Sequence, residues 1–406
     1  KLGSRNAKRY QTTFQISNFK FLLIFLFLCN FAFAQNYSFD FEEFEKKPYE
    51  YVGNFQLQSE FSELSSASNL YKLSFLDKDF WDSYFASVQL KGSYEISKFK
   101  LIADLKDKIS FTTDNDFENN FAIYESFLNV NPSTNFDFQI GKKSVKWGKG
   151  YIWNPVSFVG RQKDINDVDA GLEGFWMLKF AYVKSLSGIV QNFSISPIII
   201  PVGKDINEDF ADGEDINFIL NNYFLVADTD FDLYLFFENN DFKKWGFDFA
   251  RNILPSWEIH GEYVFEKDVT KKLLDSELTD DTHDYLLGTR FLFETNTTLI
   301  VEYLHNDSGL DEIQMGNFNT QFPMKDYVYA KLSQPEPFDI LYFTPSIFVL
   351  YNLNDNSEMI GGEFSYSRFE NINLKLKYNL MFGDSNSEFG GKISSKKLSL
   401  IYEYIF

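Results

Sequence analysis

Apolar and polar residues alternate with a period of two through most of this chain, which is the pattern of β-strands with one apolar and one polar face. At the C-terminus, Leu398, Tyr402 and Phe406 share one face, whereas Ser399 and Glu403 share the other. Many polar-face residues are charged, as expected of strands that line a water-filled lumen. The pattern predicts an all-β fold, a closed antiparallel transmembrane β-barrel in one domain from residue 50 to 406.

The spacing of these segments predicts about eighteen strands, and sixteen would also fit. Connections after even-numbered strands are short and those after odd-numbered strands are often long, as in barrels with short periplasmic turns and long outer loops. The predicted strands cover 50–62, 85–97, 99–112, 119–131, 136–149, 175–185, 187–199, 215–228, 230–240, 243–253, 256–267, 282–294, 297–306, 324–334, 339–353, 358–369, 372–383 and 396–406.

The N-terminal segment has the pattern of an export signal. Basic residues precede an apolar run from Phe21 to Phe33, which ends in Ala32-Phe33-Ala34. The run is too short to cross the hydrocarbon core as a helix, which needs about 20 residues. We expect an N-terminal extension plus signal peptide at 1–34, cleavage after Ala34 and a periplasmic lead-in at 35–49. Acylation of Cys29 is the alternative, and Leu28 disfavours it because a small residue is expected there.

Composition fits an exported barrel. The chain has 48 Phe and 23 Tyr but only 44% hydrophobic residues. An aromatic outer skin over a polar lumen explains this combination better than a soluble core does. Residues 35–406 contain 33 basic and 58 acidic residues and no cysteine, so their net charge is about −25.

The sequence gives little support for catalysis, a metal site or a cofactor. It lacks the Gly-x-Ser-x-Gly and His-Glu-x-x-His motifs and a phosphate-binding glycine loop. We expect a non-enzymatic protein without cofactor, and a solvated imidazole at His260. The acidic segment 205–215 begins like a calcium loop, but Phe210 stands where the turn glycine belongs. Both a solvated loop and weak calcium bridging fit this segment.

A basic cluster lies at the predicted end of the fifth strand and in the long segment after it. Six basic residues and no acidic residue fall between 142 and 163. Two interpretations stand: a strand end that faces anionic lipopolysaccharide, or a loop that folds inward and narrows the pore. For the second, the pore-constriction candidates are Lys143, Lys146, Lys149, Arg161 and Lys163.

This cluster also carries a family resemblance. Gly141-Lys142-Lys143, Trp147-Gly148 and Asn154-Pro155 together resemble a pattern in alginate-export-like and related porin-like barrel families. The resemblance covers about twenty residues and the barrel rhythm. It implies a diffusion channel, monomeric or trimeric, in which basic residues and in-folded loops line the path.

Strand alternation also predicts which side chains face the lumen. Acidic residues on strands nine to thirteen would form one wall, namely Asp232, Glu238, Asp248, Glu258, Glu262, Glu266 and Glu302. Lysines on the far side would oppose them, namely Lys91, Lys100, Lys106, Lys143, Lys375 and Lys377. Such walls would orient dipolar solutes. Inward apolar residues argue against an open lumen, and those predicted are Tyr124, Leu128, Val130, Tyr342, Phe348 and Leu350.

The chain ends on an alternating aromatic strand. Tyr402, Tyr404 and Phe406 resemble the C-terminal signature that the barrel-assembly machinery reads in outer-membrane barrels. Taken together, these patterns predict a bacterial outer-membrane porin for passive diffusion of small hydrophilic solutes. The alternative is a non-channel barrel that acts as a surface-binding or secretion-associated scaffold. Expected partners are outer-membrane lipid, lipopolysaccharide, the assembly machinery and small hydrophilic solutes, but not nucleic acid. The expected state is a monomer or a homotrimer.

Overall fold

The computed structural model describes residues 47–73, 78–112, 117–163, 171–211, 214–272, 277–309 and 324–406. The predicted signal peptide and nearly all of the lead-in lie outside these ranges. No helix in the described ranges has the length and apolar character that crossing a membrane requires.

Eighteen antiparallel strands form one sheet that closes on itself, which confirms the predicted fold and count. The strands are β1 (Tyr49–Leu64), β2 (Phe80–Ile96), β3 (Phe99–Thr112), β4 (Phe117–Ser133), β5 (Phe136–Lys143), β6 (Phe175–Ser185), β7 (Val190–Val202), β8 (Asp215–Val226), β9 (Thr229–Glu238), β10 (Asp241–Leu254), β11 (Trp257–Lys272), β12 (Glu277–Leu292), β13 (Thr298–His305), β14 (Asp326–Ser333), β15 (Phe343–Asn352), β16 (Glu358–Tyr366), β17 (Ile372–Phe382) and β18 (Ser394–Ile405). A short helix, α1 (Asn69–Leu73), follows β1.

Each strand pairs with its neighbours in sequence, and β18 pairs with β1 to close the ring. At the seam, the amide of Gly53 donates to the carbonyl of Phe406 at 2.8 Å, and the amide of Phe406 donates back at 2.9 Å. Closure leaves no unpaired strand edge, so every strand in the ring has two hydrogen-bonded neighbours.

The connections define two ends of the barrel. Turns after even-numbered strands are short, such as 97–98 and 255–256, and the longest of them covers 334–342. Several connections after odd-numbered strands are long, and 144–174 is the longest. We call the two ends the turn end and the loop end. The predicted alternation of short and long connections is therefore confirmed.

Strand alternation separates the outer and inner faces. Leu90, Phe99, Leu101 and Ile140 are exposed on the outer face, whereas Asp104 on the inner face is buried. The inner face is polar on some strands and apolar on others. Buried apolar side chains from β6 to β16 form two inner clusters with residues of the long connections.

The structure corrects two predicted details of strand register. A bulge in β4 places both Glu125 and the preceding tyrosine opposite Asp104, so the alternation changes there. Leu128 and Val130 consequently pair with the exposed residues Leu101 and Phe99 and face outward, not into the lumen as predicted.

At β15 the prediction is partly right. Leu350 is buried and Phe348 stacks on Tyr329 inside the barrel. Tyr342 instead precedes the strand, in the exposed turn 334–342.

Candidate functional site

The fifth strand ends earlier than the sequence indicated, and the chain then folds into the barrel. β5 ends at Lys143, not at residue 149. The amide of Ser144 donates to Glu125 Oε1 at 3.1 Å, and Val145 is buried in an inner apolar cluster. Val145 and Trp147 continue the alternation of apolar and polar residues, but both side chains pack inside the barrel, in or against this apolar cluster. Residues 144–163 therefore form an in-folded loop, which we call the constriction loop.

A buried glutamate on β11 holds this loop from the barrel wall. Glu262 Oε1 accepts hydrogen bonds from the amides of Lys149 at 2.6 Å and Gly150 at 2.8 Å, and from Asn154 Nδ2 at 3.1 Å. Its Oε2 accepts one from the amide of Val156 at 3.2 Å. Glu262 is only 3% exposed, so its carboxylate has lost most of its contact with water. The four donors replace the hydrogen bonds that water would have made.

A second carboxylate holds the next residues of the loop. Glu302 on β13 accepts hydrogen bonds from the amides of Tyr151 and Ile152, the latter at 3.1 Å. It also lies 3.1 Å from Nε2 of His260. The expectation of a solvated imidazole is wrong, because the loop covers His260 and leaves it 1% exposed.

Lys149 fixes the loop by an ion pair. Its Nζ lies 2.7 Å from Asp232 and 3.6 Å from Asp248, two neighbours on β9 and β10. Asp248 and Glu302 have no exposed side-chain surface. These acidic residues lie on the inner face as predicted, but they contact the constriction loop and polar side chains of the wall such as Asn221 and His260. They do not form a bare acidic wall across the open lumen.

Two further members of this acidic set are less buried. Glu258 accepts a hydrogen bond from Tyr151 Oη at 3.1 Å, and Glu266 lies 3.4 Å from Lys244 Nζ. Glu258 therefore also contacts the constriction loop, whereas Glu266 pairs with a neighbouring strand.

The other predicted basic residues have different surroundings. Arg161 pairs with Asp209 and donates to the carbonyl of Glu173. Lys163 Nζ donates to the carbonyls of two loop residues at 3.0 and 3.1 Å. Lys143 Nζ lies 4.0 Å from the ring centre of Phe127. Lys146 is exposed at the inner cavity.

Two glycines allow the close fit of the loop against the wall. Gly148 has φ +93°, and a Cβ there would lie 2.6 Å from both Asn154 Nδ2 and Glu262 Oε1. A Cβ at Gly150 would lie 2.0 Å from the carbonyl oxygen of Trp153. Because glycine has no Cβ, both positions permit a tight fold-back of the chain against the wall.

A second in-folded loop was not predicted. Within residues 383–393, Phe389 is 3% exposed and packs in an inner apolar cluster with Met359. Glu388 accepts hydrogen bonds from Tyr327 Oη and Asn352 Nδ2, both at 2.7 Å. In the sequence, only a phenylalanine followed by two glycines distinguishes this polar segment, and many exposed loops have a similar composition.

Burial affects the charges of this second loop. Loss of water raises the pKa of Glu388, although the Tyr327 hydrogen bond and the charge of Lys392 oppose that change. Burial likewise lowers the pKa of Lys392, against the attraction of Glu388. Both shifts are in the direction of the neutral forms.

The two loops enclose a cavity of about 1340 Å³ at the loop end. Its lining includes Lys146, Arg161 and Lys163 from the constriction loop and Glu388 and Lys392 from the second loop. The cavity therefore brings three of the five predicted constriction residues together. Lys149 lies against the wall, and Lys143 lies beside the ring of Phe127.

In the acidic connection before β8, several of the described residues contact other parts of the protein. Asn207 Nδ2 donates to the carbonyls of Trp176 and Pro201, and Asp209 pairs with Arg161. Among the residues that the structure describes, no three His, Cys, Asp or Glu side chains are grouped so that they could hold a metal ion.

No family model matches the chain, and no curated protein matches it in sequence. Solved structures share its fold. OccK2 (OpdF) of Pseudomonas aeruginosa, in complex with glucuronate, is 11% identical with a TM-score of 0.54, covering 88% of this chain and 98% of its own. OccAB3 of Acinetobacter baumannii is 11% identical with a TM-score of 0.52, covering 88% and 99%.

Another similar structure is Wzi of Escherichia coli, described as a carbohydrate-binding β-barrel involved in group 1 capsule assembly. It is 11% identical with a TM-score of 0.54, covering 87% of this chain and 84% of its own. At these identities the similarity establishes the fold, which is that of outer-membrane barrels.

Proposed function

We propose that this chain is an outer-membrane channel through which small hydrophilic solutes diffuse passively. The observation that carries the proposal is the constriction loop, which narrows a closed barrel and is fastened by Glu262 and Glu302. A fixed narrowing selects solutes by size and lining charge without a cofactor or energy coupling. The shared fold with OccK2 and OccAB3 supports this function.

In this proposal the turn end faces the periplasm and the loop end faces outward, since outer-membrane barrels place their long loops outside. The outer aromatic face contacts lipid, and the loop end contacts lipopolysaccharide. Export by the N-terminal signal, assembly by the barrel machinery and a monomeric or trimeric state belong to the same proposal.

A non-channel scaffold is the second candidate. The inner apolar clusters favour it, because large buried side chains such as Tyr234, Tyr329 and Leu350 occupy part of the lumen. Wzi shows that this barrel fold also occurs in a carbohydrate-binding protein. In that case the acidic residues near the loop end would contact a partner.

Planar-bilayer recording separates the two candidates. The purified protein, shown to be folded by its altered gel migration before and after boiling, should give stepwise, ohmic conductance. Detergent without protein is the control. Folded barrel that inserts into liposomes but gives no steps and no solute-driven swelling would favour the scaffold.

A further inference from the structure

The in-folded loops leave one part of the inner wall uncovered. The constriction loop packs with β6 to β9 in an apolar cluster, contacts β10 to β14, and reaches β4 only through the amide of Ser144. The second loop contacts β14 to β16. On the strands from β16 through β18 to β4, most of the paired charged side chains are partly exposed inside the barrel, although Asp104 is buried. Lys91, for example, is 57% exposed, whereas Glu302 on the covered wall is not exposed at all.

The charges on this uncovered wall occur as pairs of opposite sign. Lys377 lies 3.3 Å from Glu363, and Lys375 lies 3.3 Å from Glu403. The other pairs are Lys397 with Glu60 at 3.4 Å, and Lys91 with Asp104 at 3.9 Å and with Glu125 at 3.8 Å. We call this set the mixed-charge wall. It differs from the basic wall that the sequence predicted, because each of these lysines has a carboxylate neighbour.

Amide side chains hold the carboxylates of the wall in place. Asn54 Nδ2 donates to Glu403 at 2.8 Å, and Asn373 Nδ2 donates to it at 3.3 Å. Gln89 Nε2 donates to Asp104 at 2.8 Å. These hydrogen bonds orient the carboxylates, so the wall presents charges in fixed positions.

We propose that the mixed-charge wall selects small zwitterions, such as α-amino acids, among the solutes that pass. Attraction of a simple ion to one member of a pair is largely cancelled by repulsion from the other, only 3.3–3.9 Å away. A zwitterion with ammonium and carboxylate separated by one carbon aligns antiparallel to the pair and contacts both members. This inference depends on the proposed channel function and specifies its solute.

Glycine and glycolamide provide matched probes, because they are isomers and only glycine is zwitterionic. Liposome swelling should show glycine entering about two to five times faster than glycolamide, the ratio that weak exposed ion pairs can supply. Neutralising one wall pair, as Lys377→Met with Glu363→Gln, should move that ratio towards one. A second double variant, Lys375→Met with Glu403→Gln, should do the same.

The matched control is an ion pair on the outer face. Lys396 lies 2.9 Å from Glu63, and both are exposed. Lys396→Met with Glu63→Gln should keep the wild-type ratio. Equal entry of the two isomers, faster glycolamide, or a ratio unchanged in both wall variants would overturn the inference while channel function stands. Absence of both swelling and conductance would instead overturn the channel proposal.

Discussion

At the scale of single residues, Glu262 accepts four hydrogen bonds that hold the constriction loop against the barrel wall. Replacement Glu262→Gln puts an NH₂ group where the carboxylate accepts backbone amides, so at least one donor loses its partner. Hydrogen bonds to charged groups contribute about 1.5–3 kcal/mol each, and we expect a loss of stability of about 2 kcal/mol. Open-channel current noise should rise, because the loop is held less firmly. The control is Glu266→Gln, because the Glu266 carboxylate pairs with the partly exposed Lys244 on the neighbouring strand. Equal noise in the two variants would contradict this role.

The sequence predicted the face of each inner side chain but not its contacts, because strand alternation carries no information on contacts. Alternation gives the face of a side chain, so it placed Asp232, Glu262 and Glu302 inside the barrel. It contains no information on what covers them. The partners of Glu262 and Glu302 are backbone amides of residues more than a hundred positions away, and that of Asp232 is the ammonium group of Lys149. Only the folded loop brings these groups to the wall. The same covering loop explains why His260 was wrongly expected to be solvated.

At the scale of elements, the last strand closes the barrel. Phe406 exchanges two backbone hydrogen bonds with Gly53, and its ring occupies the space where a Cβ of Gly53 would lie. We predict that Tyr402→Ser, Tyr404→Ser and Phe406→Ser together reduce folded barrel severalfold and leave protein in the periplasm. Cell fractionation with heat-modified gel migration measures this.

A matched triple variant tests whether the loss of any three aromatic rings would reduce the amount of folded barrel. Phe136, Phe138 and Tyr182 also carry aromatic rings at the turn end, and the rings contact one another through Phe180 or directly. Their replacement by Ser should leave most of the barrel folded. If both triple variants fail equally, the C-terminal residues act only as interfacial anchors and not as an assembly signal.

Strands were predicted better than connections. The period-two pattern is local, so the count of eighteen and most strand bounds agree with the structure. β5 was extended by six residues because Val145 and Trp147 continue the pattern, although they pack inside the barrel. Whether a long connection projects outward or folds inward depends on distant contacts. Phe389 therefore gave no distinctive signal for the second in-folded loop.

At the scale of the whole molecule, net charge is a poor guide to ion selectivity. The chain carries a formal charge of −20, but charges farther than a Debye length, about 8 Å at physiological ionic strength, have little effect at the narrowest point. The most deeply buried acids are paired or hydrogen-bonded to the constriction loop, and Lys146 is exposed at the cavity. We therefore predict near neutrality or a weak preference for anions.

Charge reversal of the loop tests that prediction. Lys143→Glu, Lys146→Glu and Arg161→Glu together should move the zero-current potential in a salt gradient towards cation selectivity. Two positive charges that line the cavity, and a third at the end of β5 just before the loop, then become negative. Lys204, Lys243 and Lys267 lie at the loop end outside the cavity lining, and their reversal should have a much smaller effect because solvent and salt screen them. Equal shifts in the two triple variants, or no shift in either while conductance persists, would show that the basic cluster does not face the permeation path. Lipopolysaccharide would then be its more fitting partner, because the outer leaflet is the other anionic surface within reach of the loop end.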